Sequence, residues 1–94
     1  MNILWRQHAL QRMFEREISM EDVRHALLHG LVIEDYPDDT PYPSSLWLGE
    51  DERGSPLHVV MANNITEQQQ IIITVYHPNP TLWLSDWTTR RNRP

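Results

Sequence analysis

Residues 8–30 read HALQRMFEREISMEDVRHALLHG, and how this stretch is parsed decides the fold. Together with Trp5, the apolar residues Ala9, Leu10, Met13 and Phe14 recur at helical spacing, which predicts a helix over residues 5–17 with these side chains facing the core. Ser19 opens a second helix. Its hydroxyl can cap the free amide of Asp22, whose carboxylate can return the bond, and Glu21 and Asp22 place acids in the first turn. Val23, Ala26 and Leu27 then bury, and His29 followed by Gly30 is a helix exit. So few residues separate the two segments that they must form a helix hairpin.

Beyond Gly30 the pattern becomes that of strands. Residues 31–36 are apolar and β-branched, residues 37–43 form an acidic, proline-rich connection, and residues 44–48 resume an extended run. After a turn over residues 50–55 that contains Gly54, residues 57–62 (LHVVMA) and 70–77 (QIIITVYH) pair across the polar loop 63–69. Pro78 and Pro80 stop the last strand. The order predicts one α+β domain over residues 1–94, with a helix hairpin (5–30) on one face of an antiparallel sheet of about four strands (31–77). In the tail, 78–94, Trp83 and Trp87 read as anchors onto the body, the competing assignment being platforms for base stacking.

With 94 residues, the chain hides roughly 60–65 % of its surface on folding. Its stability should lie near 5–14 kcal/mol, which leaves little room for unpaired polar burial. The sequence has no cysteine, so disulfides, thiolate zinc sites and cysteine nucleophiles are excluded. No apolar run approaches the length of a membrane span, and no leader peptide is recognisable, so a cytoplasmic chain is expected. The net charge of −5 opposes a general nucleic-acid surface, whose binding is driven by cations and counterion release. The distribution softens this. All eight basic residues are arginine, concentrated near the two ends as Arg6, Arg12, Arg16, Arg90, Arg91 and Arg93, while the middle is acidic.

The blocks HALQRMFEREIS, EDVRHALLHGLVIEDYPDDTPYPSSLWLG, PLHVVMA and IIITVYHPNPTLW together resemble domain-of-unknown-function family 4258, over nearly the whole chain. The resemblance implies similarity to RelE-like toxins of bacterial toxin–antitoxin pairs, which have small α+β ribonuclease-type folds, and a neighbouring zinc-finger or helix-turn-helix antitoxin as partner. The family often has glycine where this chain has Glu17, so the interhelical turn must manage without glycine's conformational freedom.

Metal-independent RNA cleavage by transesterification needs a base for the 2′-hydroxyl, an acid for the leaving 5′-oxygen and cations around the phosphorus. His8, Arg12 and Arg16 form a stripe at four-residue spacing on the first helix, aligning an imidazole with two guanidinium forks suited to phosphate. His8 and His58 are the candidates for proton transfer, Tyr76 for a hydroxyl donor or acid, and Arg12 and Arg16 for a phosphate clamp. Arg90 and Arg91 match the basic C-terminal ends of RelE-like toxins. The expected substrate is RNA, free or ribosome-bound, with no cofactor, metal or membrane. Each residue also has a structural alternative. His58 can be a hydrogen-bonded core histidine, Tyr76 can be core, Arg12 and Arg16 can pair with Glu15, Asp22 or the acidic loop, and terminal arginines can be disordered. His25 and His29 stand at metal-ligand spacing but lack a third ligand. A noncatalytic protein-interaction module on the same fold is the rival reading.

Overall fold

The computed structural model describes residues 2–92; Arg93, one of the terminal arginines, lies outside them. The element order is β1 (Ile3–Trp5), α1 (Gln7–Glu15), α2 (Met20–His29), β2 (Leu31–Tyr36), β3 (Ser44–Glu50), β4 (Pro56–Asn64) and β5 (Gln69–Tyr76). The sheet has five strands in the order β1-β5-β4-β3-β2. Four are the expected strands, paired antiparallel. The fifth is β1, which runs parallel to β5 with Trp5 opposite Ile72. Trp5 therefore belongs to a strand and not to the first helix, which begins two residues later. The sheet is mixed, and the α+β architecture stands.

Local chemistry sets the helix boundaries. The first helix ends in a Schellman motif: Glu17 N–H donates to Phe14 C=O (3.2 Å) and Ile18 N–H to Met13 C=O (2.8 Å). Ile18 and Met13, the positions whose apolar side chains usually accompany this motif, are both buried in the core cluster. The left-handed residue this motif requires is Glu17, at φ 56°, so a glutamate occupies a conformation that glycine adopts more cheaply. The second helix starts with the predicted capping box. Ser19 Oγ accepts from Asp22 N–H and Asp22 Oδ2 accepts from Ser19 N–H, each at 3.0 Å. Asp22 Oδ1 also accepts from Glu52 N–H at 3.0 Å, tying the helix start to the β3–β4 turn. Burial opposes its ionisation, but these hydrogen bonds outweigh it and hold the carboxyl below its ordinary value.

Helix α2 lies directly on β3. A Cβ at Gly49 would meet Ala26 C=O at 2.2 Å and Ala26 Cα at 2.6 Å, so glycine here permits helix and strand backbones to touch. The core between helices and sheet contains Ala9, Met13, Val23, Ala26 and Leu27 from the helices, Ile18 from the turn between them, and Leu57, Val59, Met61, Ile72 and Val75 from the strands. Phe14 departs from the helical-face expectation: it is 86 % exposed.

A bulge in β5 decides which side chains share a face. Val60 pairs with Thr74 and Met61 with Ile72, leaving Ile73 as the extra residue. Ile72 and Val75 therefore both face the helices, while Thr74 and Tyr76 face away. Simple alternation, which groups Ile72 with Tyr76, fails at this point.

The face away from the helices is covered by the tail. Residues 82–91 fold back in a short hairpin in which Trp83 bridges Arg90, Leu84 N–H donates to Thr89 C=O (2.8 Å) and Arg91 N–H to Leu82 C=O (2.9 Å). Asp86 accepts from the Thr88 and Thr89 amides at its tip, and these bonds lower its pKa to about 2. Trp83, 2 % exposed, is the anchor that pins this hairpin to the sheet.

Candidate functional site

The alternation of β4 puts Leu57, Val59 and Met61 into the helix-side core and sends His58 to the opposite face. There His58 sits opposite Leu48 on β3 and Tyr76 on β5. It is fully buried. Nε2 lies 2.8 Å from the Trp87 carbonyl, which can only accept, so Nε2 carries the proton. Burial pushes the imidazole pKa down from its ordinary value, keeping the ring neutral near pH 7. Nδ1 is then an acceptor, and the Tyr76 hydroxyl donates to it at 3.3 Å. The Trp83 ring meets His58 edge-on at 4.6 Å between centroids.

Glu34 and Arg90 complete the cluster. Glu34 is paired with Leu46 and Tyr36 with Ser44, which carries both onto the His58 face. Arg90 donates from Nε to Glu34 Oε2 and from Nη2 to Glu34 Oε1, both at 3.1 Å, a bidentate pair. Tyr36 OH also donates to Glu34, and Arg90 lies over the Trp83 ring at 4.5 Å. The Arg90 hydrogen bonds hold Glu34 below the usual carboxylate range, and Glu34 in turn raises Arg90. Burial pushes both Tyr36 and Tyr76 up, so their hydroxyls remain protonated at neutral pH. The result is an imidazole, two phenols, a carboxylate and a guanidinium arranged around one indole.

Arg16 reaches the edge of this cluster from the helix layer. Strand β1 pairs with β5 only as far as Ile72, so the later part of β5 is an open edge. Arg16 Nη1 donates to Val75 C=O there at 2.7 Å, and its charge acts on Tyr76. Arg16 thus bonds a backbone carbonyl rather than one of the carboxylates considered from sequence.

The sequence-derived set divides. His58, Tyr76 and Arg90 come together, with Arg16 at the margin. His8 and Arg12 are exposed on α1, in the layer on the other side of the sheet, so His8 does not share a site with the other proton-transfer candidate, His58. Arg12 instead pairs with Glu15 at 3.2 Å. Arg91 Nε donates to Pro80 C=O at 2.7 Å within the tail, so both Arg90 and Arg91 have hydrogen-bond partners on the folded body or tail. Glu34 and Tyr36 were missed. Their i, i+2 placement in the strand segment EDY was the available signal, since it puts an acid and a phenol on one face.

His25 and His29 have ring centroids 5.0 Å apart, but His25 Nδ1–H donates to Glu50 C=O at 2.9 Å. Among the described residues no group of three His, Cys, Asp or Glu side chains is placed to hold a metal ion. Nor is any helix among them long and apolar enough to cross a membrane.

The family described as Domain of unknown function (DUF4258) matches residues 5–77. The chain belongs to that family. The matched span runs from β1 to the end of β5 and so contains Arg16, Glu34, Tyr36, His58 and Tyr76, whereas Trp83, Trp87 and Arg90 lie beyond it. No curated protein and no solved structure matches the chain.

Proposed function

We propose that this DUF4258 protein cleaves RNA by transesterification at the His58–Tyr76 pair, in the manner of RelE-like toxins. The observation that carries the reading is the fixed proton order Trp87 C=O···H–Nε2 His58 Nδ1···H–O Tyr76. A neutral imidazole with its tautomer set by a backbone carbonyl is a base aimed at a phenol. The 2′-hydroxyl proton passes through Tyr76 to His58 Nδ1 as the 2′-oxygen attacks phosphorus. The same phenol then gives a proton to the departing 5′-oxygen as His58 Nδ1–H returns one to the phenol, leaving a 2′,3′-cyclic phosphate and a 5′-hydroxyl and restoring the neutral pair. Arg16 and Arg90 supply positive charge around the phosphoryl oxygens, and Glu34 orients Arg90.

In this reading the protein is the toxin of a type II pair in the cytoplasm, held by a small antitoxin. Purified protein incubated with RNA and a chelator should yield cyclic-phosphate ends, and its expression alone should arrest growth. Intact free RNA and intact ribosome-bound message under those conditions would remove the enzyme reading.

One observation favours a noncatalytic interaction module instead: His58 is covered by the tail hairpin. Growth arrest that persists in a folded double variant, His58→Ala with Tyr76→Phe, would select that alternative.

A further inference from the structure

A hollow of about 400 Å³ is lined by His29, Leu48, Gly49, Glu50, Gly54, Pro56 and Trp87, with neither His58 nor Tyr76 in its wall. Two links tie it to the pair. Leu48 is the β3 residue directly opposite His58, and Trp87 is the residue whose carbonyl receives the His58 Nε2–H. The wall is braced from behind: His25 Nδ1–H donates to Glu50 C=O, and Gly49 packs against Ala26. Trp87 itself is held at φ 60° by the turn that Asp86 caps.

We infer that this hollow is a nucleobase pocket, which holds the base of the nucleotide whose phosphate lies at Tyr76. The inference rests on the RNA-cleavage reading. Its chemistry is that of base recognition: an indole together with Leu48 and Pro56 offers apolar and aromatic wall to a planar heterocycle, and the His29 imidazole can donate to or accept from the base edge. A base attached to a phosphate at the pair must lie within one nucleotide of it. The second hollow, lined by Arg6, Tyr42 and Ala62, is further off, since Ala62 is four residues along β4 from His58, about 13 Å.

The test is a titration of the full ¹⁵N-labelled chain with the four 3′-nucleoside monophosphates, and separately with inorganic phosphate. The expected result is movement of the Trp87 indole and the Gly49 and Gly54 amide signals with nucleotide and not with phosphate. Trp87→Leu should weaken binding roughly tenfold or more. His29→Ala, at an exposed position, provides an independent variant whose fold is not at stake and should weaken it severalfold. Phosphate reproducing the shifts, shifts confined to other surfaces, or both variants binding as the parent would overturn the pocket. The same samples are assayed for RNA cleavage. Binding at the hollow with no cleavage of either free RNA or ribosome-bound message supports the pocket and removes the ribonuclease reading, and cleavage without binding there overturns the pocket alone.

Discussion

The two faces of the sheet are made from the same strands, often from adjacent residues, yet they bury opposite kinds of chemistry. Toward the helices β4 presents Leu57, Val59 and Met61, all inside an apolar cluster, where burial of each side chain contributes about 1.5–3 kcal/mol. Toward the tail it presents His58, equally buried but among Tyr76, Trp83, Glu34 and Arg90. Burial there works against a charged imidazole, and the compensation comes from directed hydrogen bonds, which depend on geometry more than on area. Strand alternation thus lets one nine-residue strand hold the fold with one set of residues and carry ionisable groups with the other.

Adjacent substitutions break this comparison most sharply. On the ribonuclease reading proposed above, His58→Ala should lower RNA cleavage by about 10²- to 10⁴-fold, measured as initial rate per folded molecule. Leu57→Ala, one residue away on the other face, should leave that rate within a few-fold. It should instead lose about 2–5 kcal/mol in chemical denaturation. If both variants lost stability and activity in proportion, the division of labour between the faces would be wrong.

The anchor of the polar face is tested next. Trp83→Ala should destabilise the protein by about 3 kcal/mol or more. It should also make the 82–91 hairpin the first site of limited proteolysis, because the indole is what His58 and Arg90 both pack against. A protease pattern unchanged from the parent would show that the Glu34–Arg90 pair holds the tail without it.

How far each face could be read from sequence follows from the range of the interactions that build it. The helix hairpin was legible because a capping box, an apolar period and a helix exit are all local to residues 5–30. The four antiparallel strands were legible for the same reason. Strand β1 was not: three residues are too few to show a period, and its partner Ile72 is 67 positions from Trp5. The β5 bulge left no local mark, and simple alternation along this strand places Ile72 on the wrong face. On the polar face, His58, Tyr76 and Arg90 were picked out by residue type, but the Glu34–Arg90 pair spans 56 positions and no spacing rule reaches it. His8 and Arg12 were favoured because a stripe on one helix is visible in sequence; which side of the sheet that helix covers is not.

Acid should separate the faces by a smaller amount. Because burial lowers the His58 pKa in the folded protein, the unfolded chain binds the proton first as pH falls below about 6.5. The stability contributed by a neutral His58 is therefore intact above that value and lost as pH drops toward the folded pKa, by at most about 1.4 kcal/mol per pH unit. Glu34, also lowered by its partner Arg90, adds a loss in the same direction but only below the ordinary carboxylate range. Denaturant midpoints measured between pH 7 and 5 should decline for the parent and stay flat for His58→Gln, and parallel curves would show that another group titrates there.

The smallest effect distinguishes arginines that look equivalent in sequence. Arg12 pairs with Glu15 across one helical turn, with about half of each side chain in solvent, and such pairs contribute about 0.2–0.5 kcal/mol. Arg12→Ala should therefore change stability by no more than that, and should leave cleavage unchanged because α1 lies on the far side of the sheet from His58. Arg16 is four residues further along and bonds the Val75 carbonyl beside Tyr76, so Arg16→Ala should reduce cleavage while changing stability little. Removing Arg90 frees Glu34 from its bidentate partner and should reduce both. Equal loss of cleavage in the Arg12 and Arg16 variants would mean that RNA crosses the helix layer, moving the site off the tail-covered face.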